Sequence, residues 1–273
     1  MTAADQGATP AELGALAADI AKEAGDLARR RRREGVSLAA TKSTLADIVT
    51  EADREVEQLI RDRLRRERPA DGFLGEETGA ERGTSGFTWV VDPIDGTVNY
   101  AYGVPAYSVS IAVVEGEPEP ESWRGVAGAV CAPGLGELFT AARGEGAWHD
   151  GIRLAVTTDT SAGALLGTGF GYDPATHDGD LAMVRQVMSM ARDLRRMGSA
   201  AIDLAYVAAG RLDGFFERGL NAWDFAAGAI IVQEAGGEVS RLELDAPRPM
   251  VIAGGPEVHE RLRALVSGAA DRM

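Results

Sequence analysis

Asp92 and Asp95 sit three residues apart in Trp89-Val-Val-Asp-Pro-Ile-Asp-Gly-Thr-Val-Asn-Tyr100, where an apolar run breaks into a turn. Two carboxylates at that spacing repel each other unless one is protonated or a cation lies between them. With no His or Cys close by in the chain, their oxygens select a hard ion, Mg²⁺ before Zn²⁺. Pro93 fixes one backbone angle and Gly96 permits another, which puts the pair on a tight turn rather than a mobile loop. If Gly96 and Thr97 open a helix, their N–H groups also suit a phosphate oxygen. A plainer reading stays open on the short motif alone: an Asp-Pro turn in which Asp95 caps a helix.

The elements that must hold this turn come from periodicity and caps. Residues 87–91 form a short β-branched and aromatic run that reads as a buried strand. Upstream, Thr9-Pro10-Ala11-Glu12 resembles a capping box with proline at the first helical position, and Leu13, Leu16 and Ile20 continue a helix to about Arg33. The basic run 29–33 reads as a solvated last turn favoured by the helix dipole. Gly35 stops that helix, and residues 36–46 form a small polar connection containing Lys42. Thr50-Glu51-Ala52-Asp53 opens a second helix with Val56, Leu59, Ile60 and Leu64 on one face, so Asp53 has a structural reason as a capping residue. A short strand at 72–75 ends in Glu76-Glu77, which alone reads as a solvated pair.

Beyond the central turn, Tyr107, Val109, Ile111 and Val113 alternate with Ser108, Ser110 and Ala112 at the period of a strand. Further strands are expected at 125–131 and 137–142, with a surface turn at 115–122. The turn-rich stretch 144–151 is the best boundary between two lobes, 1–150 and 151–273. In the second, 164–170 is strand-like and 180–194 reads as an amphipathic helix packed through Met183, Val187 and Met190. Ser199 is the N-cap of a helix ending at Gly210. A strand follows at 212–217, then a helix from Ala222 to Ala235 with Asp224 in its first turn, where the dipole favours an acid.

Composition narrows the function. The chain has 273 residues, 45% hydrophobic and 26% charged, a globular balance. Its net charge of −14 argues against nucleic acid or an anionic membrane as the main partner. A phosphate ester would meet repulsion on so acidic a protein, and bound divalent cations are the economical way to invert the local field; many acidic surfaces, though, serve only solubility. Cys131 is the single cysteine, so no intrachain disulfide forms and a reducing cytoplasm fits. Residues 1–10 carry no signal-peptide pattern, and the longest apolar run, 225–232, is too short for a bilayer. The three histidines lack zinc-ligand spacing, and neither a Walker loop nor a nucleophile signature is present.

The string W-x-x-D-P-I-D-G-T-x-N-Y resembles the signature of the inositol monophosphatase family of Mg²⁺-dependent, lithium-sensitive phosphatases. Three more segments match that family's pattern: Lys42-Ser-Thr-Leu-Ala-Asp47-Ile-Val49-Thr50-Glu-Ala-Asp53, the G-E-E element at Glu76-Glu77, and Trp223-Asp224-Phe-Ala-Ala-Gly. The resemblance implies an α/β (α+β) fold, a layered αβαβα sandwich, often dimeric. It also implies two or three Mg²⁺ ions held by Glu76, Asp92, Ile94, Asp95 and Asp224. Thr97 and Asp53 would orient the attacking water, with Glu76 counted among the catalytic groups and Glu77 behind it. Gly96, Thr97, Gly198, Ser199, Ala200, Glu217 and Asp224 would bind substrate, and Lys42 would lie on a mobile flap. Inositol 1-phosphate is the expected substrate, with histidinol phosphate, fructose 1,6-bisphosphate and 3′-phosphoadenosine phosphate as alternatives. A regulatory binding module is the reading from a different class. Tyr100 in place of the commoner Phe and Ala253-Gly-Gly255 at a usually polar turn are mild departures.

Overall fold

A computed structural model describes residues 7–35, 38–41, 48–116, 119–120, 122–244 and 248–270. In chain order the elements are α1 (Pro10–Glu34), β1 (Leu38–Thr41), β2 (Ile48–Thr50), α2 (Glu51–Glu67), β3 (Gly72–Gly75), β4 (Gly79–Glu81), β5 (Phe87–Asp95) and α3 (Thr97–Tyr102). Then follow β6 (Ser108–Glu115), β7 (Arg124–Ala132), β8 (Glu137–Ala142), β9 (Gly146–His149), β10 (Ile152–Arg153) and β11 (Ala164–Thr168). The chain continues through α4 (His177–Val187), β12 (Ala191–Arg195), α5 (Ala200–Ala208), β13 (Gly214–Arg218), α6 (Ala222–Glu234), β14 (Glu238–Leu242), β15 (Met250–Gly254) and α7 (Pro256–Ala270).

These elements stack in five layers, as expected for an αβαβα sandwich. Helices α1 and α2 cover one face of an eight-stranded sheet of order β10-β9-β8-β7-β6-β5-β3-β4. Helices α5 and α6 fill the space between it and a five-stranded sheet of order β12-β11-β13-β15-β14, whose outer face carries α4 and α7. The period of two in β5 and β6 sorts residues between cores: Trp89, Val91, Ile111 and Val113 pack under α1 and α2, while Val90, Ala112 and Val114 face α5 and α6. Ser108 and Ser110 on that second face are fully buried as well. Ser108 Oγ lies 3.1 Å from Ser199 Oγ, and Ser110 donates to the Trp223 carbonyl at 3.3 Å. Small polar residues there let two helix N-termini approach the sheet with their hydroxyls satisfied.

The capping boxes form at both predicted helix starts, Thr9 with Glu12 and Thr50 with Asp53. Tyr100 keeps its extra hydroxyl paired inside the core by donating to the Ala28 carbonyl at 2.9 Å. The expected helix over 180–194 is wrong in its second half. Helix α4 ends at Val187, and Ala191–Arg195 is an edge strand running parallel to β11. Met183, Val187 and Met190 do pack in one core, but the spacing to Met190 arises from a turn. Pairing with a neighbouring strand overrides the local pattern. Strand β12 thereby forms one edge of the five-stranded sheet.

Candidate functional site

Strand β5 runs on past residue 91 to Asp95, and its register against β6 shifts between Asp92 and Asp95. Asp92 lies opposite Ser110 and Asp95 opposite Ser108, so Pro93 and Ile94 together face the single residue Val109: a β-bulge. In a regular strand, residues three apart point to opposite faces. The extra residue turns Asp95 back onto the side of Asp92, toward α5 and α6. Gly96 follows at φ +89°, and a Cβ there would lie 2.8 Å from the Gly198 carbonyl oxygen, so both backbone angle and space require glycine.

Each other acid is delivered by its own cap or turn. Asp53 is 1% exposed and its Oδ2 accepts from the Thr50 N–H at 2.8 Å and from the Thr50 hydroxyl at 2.5 Å. Its other oxygen faces Thr97 Oγ1 at 3.4 Å. The Thr97 hydroxyl makes its shorter bond, 3.0 Å, to the Ile94 carbonyl. Asp224 Oδ2 accepts from the Asn221 N–H at 2.6 Å as the third residue of α6. Glu76 sits just past β3, its N–H donating to the Val91 carbonyl at 3.2 Å.

Glu76, Asp92, Ile94, Asp95, Gly96, Thr97, Gly198, Ser199, Ala200, Glu217 and Asp224 all line one cavity of about 480 Å³. Asp53 borders it through Thr97, whereas Lys42 and Asp47 lie outside the described residues. Glu77 is held behind the site, its N–H donating to Glu57 at 2.9 Å.

Burial and mutual repulsion hold the carboxyls toward their neutral forms. Asp92 is pushed well up, first by burial and then by Glu76, Asp95, Asp224 and Asp53. Asp224 is pushed up by burial and by Asp95. Asp95 is raised by burial to about 6, although the Ser199 hydroxyl and the Ala201 N–H favour its charge. Asp53 is raised by burial to about 7, and Glu217 by burial and Asp95 to about 8. Such an oxygen-only cluster fits a hard divalent cation, which would relieve repulsion that protons otherwise relieve. Among the described residues, no three of these side chains are already drawn into a coordination cage; Glu76, Asp92, Asp95 and Asp224 share the lining of one cavity.

Several lining residues were not singled out by motif. Tyr172, Arg196 and Arg248 also border the cavity. Arg248 Nη2 donates to the buried Asp180 at 2.5 Å, and Asp180 accepts the Gly171 N–H at 3.0 Å, tying the rim to α4. Asn99 donates to the carbonyls of Ala106 and Met197 at 2.7 and 2.8 Å and thereby seats the Gly198 turn. None of these contacts follows from local periodicity.

A sequence model described as "Inositol monophosphatase family" matches residues 10–269. The chain belongs to that family. Its reaction class is that of a phosphatase. Among curated relatives, the Mycobacterium tuberculosis protein named "Inositol-1-monophosphatase SuhB" is 42% identical over 279 residues, covering 93% of each chain. A Pasteurella multocida protein named "Nus factor SuhB" is 42% identical over 228 residues, covering 82% of this chain and 83% of its own. The solved structure titled "Mycobacterium tuberculosis SuhB" superposes with a TM-score of 0.81 at 40% identity, covering 96% of this chain and 98% of that one. Among the described residues, no helix is long and apolar enough to cross a membrane.

Proposed function

We propose that this family member hydrolyses the phosphate monoester of a compact polyol, inositol 1-phosphate before others, using Mg²⁺. One observation carries the reading: Glu76, Asp92, Asp95 and Asp224 line the same cavity that Gly198, Ser199, Ala200 and Glu217 help to wall. The acids supply hard oxygen donors, while the small residues at the start of α5 leave room for a ring.

Glu76, the two β5 aspartates, the Ile94 carbonyl and Asp224 would hold the cations. Bound there, Mg²⁺ supplies a water of lowered pKa and neutralises charge on phosphoryl and leaving oxygens. The Thr97 hydroxyl and Asp53 orient the attacking water, and Asp53, near 7, is suited to take its proton. Glu217, whose carboxyl is pushed up to about 8 by burial and Asp95 in the cation-free protein, is suited to donate a hydrogen bond to a substrate hydroxyl. Water oxygen bonds to phosphorus as the ester P–O bond breaks; the water gives up its proton to Asp53, and the departing alkoxide takes up a proton from solvent to leave as the alcohol beside inorganic phosphate. A homodimer, two or three Mg²⁺ ions per site and lithium inhibition go with this reading on the resemblance alone, and a cytoplasmic location on the single cysteine, Cys131.

Phosphate release from inositol 1-phosphate, histidinol phosphate, fructose 1,6-bisphosphate and 3′-phosphoadenosine phosphate, in Mg²⁺, in EDTA and in Mg²⁺ with Li⁺, tests it. We expect the highest kcat/KM for inositol 1-phosphate and none in EDTA. Preference for another ester would replace the substrate. Absence of hydrolysis on every ester would favour a binding role, which the relatives named Nus factor support.

A further inference from the structure

We propose that Glu57 is a positioning residue that holds the Glu76-Glu77 turn in its cation-binding pose. Glu57 lies on α2, one turn after Asp53 and on the same face, and is 1% exposed. Both its oxygens are engaged by the turn: Oε2 accepts the Glu77 N–H at 2.9 Å, and Oε1 accepts the Thr78 hydroxyl at 2.5 Å. Thr78 Oγ1 in turn accepts from Arg61 Nη1 at 2.8 Å, which orients its proton toward Glu57. The approach is so close that a Cβ on Gly75 would sit 2.5 Å from Glu57 Oε2.

A buried carboxylate is expensive unless its lone pairs are filled. Glu57 spends them on backbone and hydroxyl groups immediately after Glu76. On the other side, the Glu76 N–H is tied to the Val91 carbonyl, one residue before Asp92. Glu76 is therefore clamped between α2 and β5, the two elements that also deliver Asp53 and Asp92. A side chain that must meet a cation at one distance needs such support, since loose ligands lose affinity.

This proposal rests on the reading of Glu76 as a cation ligand. Calorimetric titration of the cation-free protein with Mg²⁺, and with Mn²⁺, should give at least about tenfold weaker binding for Glu57→Gln. Glu57→Asp, which keeps the charge but shortens its reach, should fall between it and wild type. Thr78→Val, which removes one partner, should also weaken binding. At saturating cation, KM for the ester should stay within about twofold of wild type, because the turn positions a cation ligand rather than the polyol. Ile60→Val, a buried truncation on the same helix, controls for lost stability. Unchanged cation affinity in folded Glu57→Gln and Glu57→Asp, or equal weakening in Ile60→Val at matched Tm, would overturn the proposal. If wild type itself bound neither cation, the metal reading would fail first, and the clamp with it.

Discussion

Ser199 donates its hydroxyl to Asp95 at 2.6 Å across 104 residues of chain, while the same oxygen accepts the Ile202 N–H at 3.3 Å as the N-cap of α5. One side chain thus starts a helix and orients a buried carboxylate of the cation motif. Ser199→Ala should destabilise the protein by about 2–3 kcal/mol, from a lost cap and a lost hydrogen bond to a charged group. It should lower kcat about tenfold by freeing Asp95, with Ser199→Thr recovering most of both. Urea unfolding and steady-state phosphate release check this; full activity in Ser199→Ala would show that Asp95 does not depend on it.

Asp92 is 2% exposed and surrounded by other acids. In Asp92→Asn the bond from the Ile94 N–H, 3.0 Å to Oδ1, survives on the amide oxygen, while a buried carboxyl that must either hold a proton or repel its neighbours is replaced by a neutral amide. We expect the cation-free Tm at pH 8 to rise by about 2–4 °C, the response of a chain this size to about 1 kcal/mol. Turnover should fall by at least about 10²-fold. Asp95→Asn should lose activity similarly without the gain in Tm, because its Oδ2 accepts two hydrogen bonds. A Tm that drops in Asp92→Asn would mean the cluster is not repulsive.

Stability of the cation-free protein should depend on pH in an unusual direction. Asp95, Asp53 and Glu217 are held at about 6, 7 and 8, each above its unfolded value. The folded protein keeps protons that the unfolded chain releases. Their contribution is full below the unfolded values and is lost as pH rises through about 6 to 8, by up to about 1.4 kcal/mol per pH unit per group. In EDTA, Tm should fall between pH 5 and 8.5. Mg²⁺ should restore it at pH 8 and do little at pH 5, and Glu217→Gln should flatten the upper part of the curve. A flat EDTA profile contradicts the shifts.

The parts of the site visible in the sequence are those set by local chemistry. A capping box places Asp53, a first helical turn places Asp224, and Gly96 permits a left-handed turn; each needs only three or four neighbouring residues. What escaped depends on pairing across the chain. The bulge at Pro93–Ile94 exists only against β6, and β12 becomes a strand only beside β11. Glu57 could have been noticed by its spacing from Asp53, but its partners, Glu77 and Thr78, are twenty and twenty-one residues away. The alternation of Ser108 and Ser110 with Val109 and Ile111 marks a strand but not that its serine face is buried, which the packing of α5 and α6 decides.

That close approach of α6 supplies the most selective test of how the site is held. A Cβ on Gly128 in β7 would lie 2.8 Å from the Ala227 carbonyl oxygen, which is helix backbone and cannot swing aside. Gly128→Ala should therefore push α6 off the sheet, and Asp224 in its first turn moves with it. Gly25→Ala is the natural comparison: its Cβ would lie 2.8 Å from Cys131 Sγ, overpacking α1 against the opposite face of the same sheet. Both changes should cost about 1–3 kcal/mol of stability. Only Gly128→Ala should also lower turnover, by about 10²-fold if the shift approaches 1 Å, and weaken Mg²⁺ binding. Equal loss of activity in both variants would mean that turnover follows global stability rather than the seating of Asp224.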